Sequence, residues 1–162
     1  MGLIKREIVI YHECIMITIM KKKHWKSTPG CVYNINYHIV YSTKYRKKVL
    51  TGEVGEALKK INEEIALNND IELIEQEVMP DHVHLFVSAH PKYSPSKIVK
   101  IFKGGSARKL FTKFPELRNQ LWRGHLWNPS YYVGTIGDIT KEVVEKYIAM
   151  QKVKDSGDTE DN

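Results

Sequence analysis

The chain has 162 residues, with 25 Lys+Arg against 19 Asp+Glu, a net charge of +6, 42% hydrophobic residues and two cysteines. That length favours a single domain with one core, the composition excludes a collagen-like, coiled-coil or wholly disordered chain, and no apolar run is long enough to span a bilayer. Cys14 and Cys31 cannot build a disulfide framework or a cysteine metal cluster, which points to a cytoplasmic protein.

Taken in chain order, residues 1–19 hold two apolar triplets, at Ile8 and Ile15, interrupted by His12 and Glu13 and followed by no small-residue cleavage site. Met20 before Lys21-Lys22-Lys23 reads as a second possible start, so 1–19 is an extension outside the main domain, 20–152. Tyr33 to Tyr41 alternates and is rich in aromatic and β-branched residues, which predicts a strand. Gly52 to Asn68 places Val54, Leu58, Ile61 and Ile65 on one face of an amphipathic helix. Ile71 to Met79 and His82 to Ala89 read as strands joined at Pro80-Asp81. Ser94-Pro95 is an N-cap and first-turn proline for a helix through Phe102, and Gly104-Gly105 is expected to break or bend it before it resumes from Ala107 to Phe114. Tyr131 to Ile136 is a short strand, Gly134, Thr135 and Gly137 form an expected hinge, and Asp138 or Thr140 caps a last helix through about Lys152. Residues 153–162, with one base and four acids, read as a disordered tail. The order β-α-β-β-α-β-α predicts an α+β fold: a ferredoxin-like split βαβ antiparallel sheet with helices on one face, plus a C-terminal helix.

Charge is distributed unevenly along this plan. Eight bases and no acid lie between Met20 and Lys48, nine bases and one acid between Pro91 and Arg123, and nine acids and two bases between Thr51 and Asp81. A body with one basic surface suits a polyanionic partner, while ordinary solvated lysine is the plainer explanation.

The strand from His82 carries the chemistry. Side chains alternate, so Val83, Leu85 and Val87 face one way, toward the helices, and His82, His84, Phe86 and Ser88 face the other, expected to be the open face. Two imidazoles one step apart can converge on a cation, or serve only as structural histidines; a third ligand decides between these. On the last helix Tyr147 and Gln151 are one turn apart on one face, a phenol and an amide that either pack or act.

Met79-Pro80-Asp81-His82-Val83-His84-Leu85, followed 63 residues after His84 by Tyr147 with Gln151 a turn on, resembles the signature of the single-tyrosine HUH (His-hydrophobic-His) transposases, the TnpA-like enzymes of small insertion sequences. The aromatic opening strand, the basic helix around Phe102-Lys103-Gly104 and Leu126-Trp127-Asn128-Pro129 extend the resemblance from about Tyr33 to Lys152. It implies that His82, His84 and Gln151 hold a divalent cation, Mg²⁺ or Mn²⁺, and that Tyr147 attacks a phosphodiester of single-stranded DNA at a hairpin-bearing end, giving a 5′-phosphotyrosine that is rejoined without ATP. It also implies a homodimer with the tyrosine helix acting in trans, and no membrane association. Lys44, Arg46, Lys47, Lys97, Lys100, Lys103, Arg108 and Lys109 are then expected to hold DNA phosphates, and Trp122, Trp127, Tyr131 and Tyr132 are candidates for base stacking, core or dimer contact. Two other readings are a domesticated nickase acting on chromosomal repeats and a non-catalytic ferredoxin-like nucleic-acid-binding module.

Overall fold

The computed structural model describes residues 25–137. Tyr147, Gln151, the expected C-terminal helix, the extension 1–19 and the tail 153–162 lie outside the described residues. The described residues fall into two compact units, 25–34 and 35–137. In the first, strands β1 (Lys26–Thr28) and β2 (Cys31–Tyr33) form an antiparallel hairpin. Its turn places Gly30 at φ 84°, a conformation that glycine adopts without steric cost.

The second unit runs β3 (Asn36–Ser42), α1 (Gly52–Asn68), β4 (Glu72–Val78), β5 (His82–Ser88), α2 (Pro95–Lys113), the one-turn α3 (Leu117–Gln120) and β6 (Tyr132–Ile136). Its four strands lie in the order β4-β5-β3-β6, every neighbour antiparallel. With one helix between β3 and β4 and another between β5 and β6, this is the ferredoxin-like arrangement, and it puts β5 and β3 at the centre of the sheet.

The expected strand from Tyr33 to Tyr41 proves to be parts of two. Tyr33 pairs with Lys26 in the hairpin, whereas the ladder to β5 begins at Asn36 opposite Ser88. Alternation continues through Asn34-Ile35, so the pattern carries no mark of the change of partner.

One face of the sheet forms the core. Ile39, Tyr41, Val83, Leu85 and Val87 pack with Leu58, Ile61 and Ile65 of α1 and Ile98, Phe102 and Leu110 of α2. Each such aliphatic side chain contributes roughly 1.5–3 kcal/mol on burial. Asn62 enters this layer through its amide nitrogen: Nδ2 donates to Gln76 Oε1 at 3.1 Å, and Gln76 Nε2 donates to the Lys59 carbonyl at 3.0 Å.

At the start of α2 the Ser94 side chain accepts a hydrogen bond from the Lys97 amide and Pro95 occupies the first turn, as expected. Gly104-Gly105, however, does not interrupt the helix, which continues through Lys113. Gly105 sits against Ile65 of α1, so the missing side chain serves helix packing. Gly134 and Thr135 are likewise no hinge: they lie within β6, paired with His38 and Tyr37.

Candidate active site

The other face of the sheet carries the histidines. Antiparallel pairing sets His38 of β3 opposite Phe86 of β5, and Val40 opposite His84, so His38, His82, His84 and Phe86 share that face. His82 and His84 are only 6% and 7% exposed, and His38 is buried too, which corrects the expectation of an open face. His38 stacks on Phe86 with centroids 4.5 Å apart and on His84 at 5.3 Å, while Tyr132 meets His38 edge-on at 5.8 Å.

The rings of His82 and His84 are 5.0 Å apart at 74°, and each has its Nδ1 engaged. His82 Nδ1 donates to Asp81 Oδ1 at 2.6 Å, because a carboxylate can only accept. Arg46 Nε donates to the other oxygen, Asp81 Oδ2, at 2.8 Å. Burial alone would raise the Asp81 carboxyl, but the hydrogen bonds from His82 and Arg46 hold it below its ordinary value. His84 Nδ1 lies 3.1 Å from His38 Nε2, a contact in which one ring donates to the other. Burial, reinforced by the His82 and His38 rings, pushes His84 down to about 3, and burial pushes His38 down to about 4. Both are therefore neutral at physiological pH.

An imidazole whose one proton sits on Nδ1 has its lone pair on Nε2, the tautomer that the Nδ1 contacts of His82 with Asp81 and of His84 with His38 favour. Among the described residues no group of three or more His, Cys, Asp or Glu side chains is placed to hold a metal ion. Two buried imidazoles oriented through Nδ1 fit part of the coordination shell of a divalent cation, with oxygen donors to complete it. Sequence reading missed His38 and saw Asp81 only as a turn residue. The alternation of Tyr33 to Tyr41 does place His38 on a face, but only the strand register brings it to His84.

The basic residues separate into groups. Lys97, Lys100 and Arg108 line a cleft of about 480 Å³ between α1 and α2, together with Asn68 and Asn69. Lys109 in the same cleft is ion-paired with Glu64. Lys103 turns elsewhere. Its Nζ donates to the carbonyls of Asn128, Pro129 and Ser130, and burial lowers its pKa. Arg46 is committed to Asp81, while Lys44 stands by the exposed rings of Tyr45 and Trp122. Of the aromatic candidates, Trp127 is core: it is buried edge-to-face on Tyr41, and its Nε1 donates to Ser106 Oγ at 3.1 Å. Trp122, Tyr131 and Tyr132 are exposed.

A ferredoxin-like sheet with a His-hydrophobic-His pair buried on a central strand defines the class, and comparison with known proteins gives the family. The family model described as IS200-like transposase matches residues 31–151. The chain is 46% identical over 130 residues to the ISDra2 transposase TnpA of Deinococcus radiodurans, covering 80% of this chain and 93% of that one. It is 31% identical over 130 residues to the transposase for insertion sequence element IS200 of Salmonella typhimurium, covering 80% and 85%. The fold is similar to a crystal structure of a transposase from Deinococcus radiodurans R1, with a TM-score of 0.65 at 45% identity over 78% of this chain and 97% of that chain. This chain belongs to the IS200-like transposase family. DNA cleavage and strand transfer are the activity that membership carries. No helix among the described residues is long and apolar enough to cross a membrane.

Proposed function

We propose that the protein nicks and rejoins single-stranded DNA at hairpin-bearing ends of an insertion sequence, with Tyr147 as nucleophile and His82, His84 and Gln151 as ligands of Mg²⁺ or Mn²⁺. The observation that carries this reading is the pair of buried imidazoles on β5, each with its Nδ1 engaged. A cation bound there would polarise the scissile phosphate and offset its charge.

The chain's own residues do the rest. The Tyr147 phenol loses its proton and its oxygen attacks phosphorus; the bond to the 3′ oxygen breaks, and that oxygen leaves as a 3′-hydroxyl. The product is a 5′-phosphotyrosine, which conserves the bond energy, so attack by another 3′-hydroxyl reverses the step and joins strands without ATP. Lys97, Lys100 and Arg108 would hold phosphates of the hairpin at their cleft. A homodimer in which the Tyr147 helix of one subunit serves the histidines of the other completes the proposal.

The test is incubation with Mn²⁺ or Mg²⁺ and single-stranded hairpin oligonucleotides, followed by a search for an SDS-resistant protein–DNA adduct. An adduct is expected with the unchanged protein and not with Tyr147→Phe; an adduct that survives that substitution would overturn the nucleophile.

A further inference from the structure

Tyr45 and Trp122 are 65% and 48% exposed, although both carry large apolar rings. They come from distant parts of the chain and meet edge to face, with centroids 5.8 Å apart at 81°. Cations frame them. Lys44 Nζ is 4.9 Å from the Tyr45 centroid and 5.9 Å from that of Trp122, and Arg123 Cζ is 4.4 Å from the Trp122 ring.

The two turns that bear these rings are fastened to the body. The Thr43 amide donates to the Asp81 carbonyl and the Lys44 amide to the Leu126 carbonyl, each at 2.8 Å, and Thr43 Oγ1 donates to the Lys47 carbonyl at 2.7 Å. They hold Tyr45, Arg46 and Arg123 at φ 57°, 50° and 51°, the left-handed region that costs free energy for side chains larger than glycine. In these neighbouring turns Tyr45 and Arg123 present an aromatic and a cationic group outward, while Arg46 turns to Asp81. Neither ring belongs to the buried core.

We propose that Tyr45 and Trp122, flanked by Lys44 and Arg123, form a stacking platform for the nucleobases of single-stranded DNA beside the histidine pair. Aromatic rings interleaved with cations match the two halves of a nucleotide: the π-face of a base and the charge of its phosphate. The position fits as well. Arg46, next in sequence to Tyr45, donates to Asp81, the carboxylate that holds His82, which ties the Tyr45 turn to the histidine pair. Stacking of this kind needs no particular base, because every base has a π-face.

This inference rests on the reading that the protein acts on single-stranded DNA, and its test separates the two. Fluorescence anisotropy would compare a labelled unstructured oligo-dT with an equally long, equally charged strand carrying abasic sites. The unchanged protein is expected to prefer the strand with bases by about tenfold or more. Tyr45→Ala and Trp122→Ala are each expected to lose most of that preference, while Tyr45→Phe and Trp122→Phe keep it. If the alanine variants retain the preference while the unchanged protein still forms its adduct, the platform falls and the reading stands. A change from dimer to monomer in the alanine variants, with the preference intact, would make the patch a subunit contact instead. If the unchanged protein binds neither strand, the reading fails and takes the platform with it.

Discussion

A Cβ added at Gly105 would lie 2.8 Å from Ile65 Cδ1 and 3.2 Å from its Cγ1, so α1 and α2 touch where only a hydrogen fits. At Gly104, one residue earlier, an added Cβ would meet nothing within 4 Å. Replacing glycine by alanine inside a helix gains about 1 kcal/mol from backbone entropy, whereas overpacking a filled core costs about 1–3 kcal/mol. Gly104→Ala is therefore expected to stabilise by about 0.5–1 kcal/mol, and Gly105→Ala to destabilise by about 1 kcal/mol because its methyl must displace the buried Ile65 side chain. Urea unfolding of the two variants checks this; equal stabilisation by both would show that the helices do not meet there.

The same pair marks the limit of reading structure from the sequence. Two adjacent glycines look like a helix breaker because local propensity is all that a sequence displays, and here a tertiary contact overrides propensity. The elements whose signal is periodic were readable: α1 spans Gly52–Asn68 as the spacing predicts, and Val83, Leu85 and Val87 face the helices. His82 and His84 were readable because their spacing places both on one face of one strand. His38 and Asp81 were not, since the link from His38 to His84 depends on register across two strands and Asp81 looks like any turn aspartate. The destination of a lysine is equally hidden. Lys97 and Lys103 look alike in sequence, but one lines a cleft and the other ties down a loop.

That difference has a measurable consequence. Removing one phosphate-binding charge lowers the salt dependence of DNA affinity by about one counterion. Lys97→Met, Lys100→Met and Arg108→Met are each expected to reduce the slope of log affinity against log salt by about 1, with little change in stability. Lys103→Met strips a donor from three main-chain carbonyls and is expected to destabilise by about 1–2 kcal/mol while leaving the slope unchanged. Salt titration of hairpin binding alongside thermal unfolding distinguishes the two classes.

Buried Trp127 donates from Nε1 to Ser106 Oγ at 3.1 Å. Ser106→Ala leaves that indole N–H buried without its acceptor, which costs about 1–3 kcal/mol. Ser106→Thr keeps the hydroxyl at the expense of an added methyl in a filled site. Unfolding midpoints should fall for the alanine variant, and fluorescence of Trp127 should show a changed environment.

Asp81 and His38 hold the two candidate ligands by their Nδ1 atoms, and loss of such partners typically lowers metal affinity by about 10- to 100-fold. Calorimetric titration with Mn²⁺ is expected to show weakening in that range for Asp81→Ala and for His38→Phe. The phenylalanine preserves a ring against Phe86 but cannot accept from His84. Asp81→Asn retains an oxygen acceptor and should weaken binding less than Asp81→Ala. Unchanged affinity in both His38→Phe and Asp81→Ala would show that neither contact orients a ligand.

Protonation of the same cluster sets how the metal-free protein responds to acid. His38 and His84 lie at about 4 and about 3 when folded, against an ordinary value of 6.5. Below pH 6.5 the unfolded chain takes up protons at both positions and the folded chain does not, so stability is fully present above pH 6.5 and falls as pH drops toward 4 and then 3. Each histidine can contribute a slope of at most about 1.4 kcal/mol per pH unit in that window. Asp81, held below its ordinary value of 3.8, adds to the loss only at lower pH. Urea unfolding in the presence of a chelator, from pH 7.5 to pH 4.5, is expected to show steadily declining stability. His38→Phe and His84→Phe should each flatten that decline, because a phenylalanine takes up no proton in either state. A slope that is the same in the variants as in the unchanged protein would place the acid sensitivity outside this cluster.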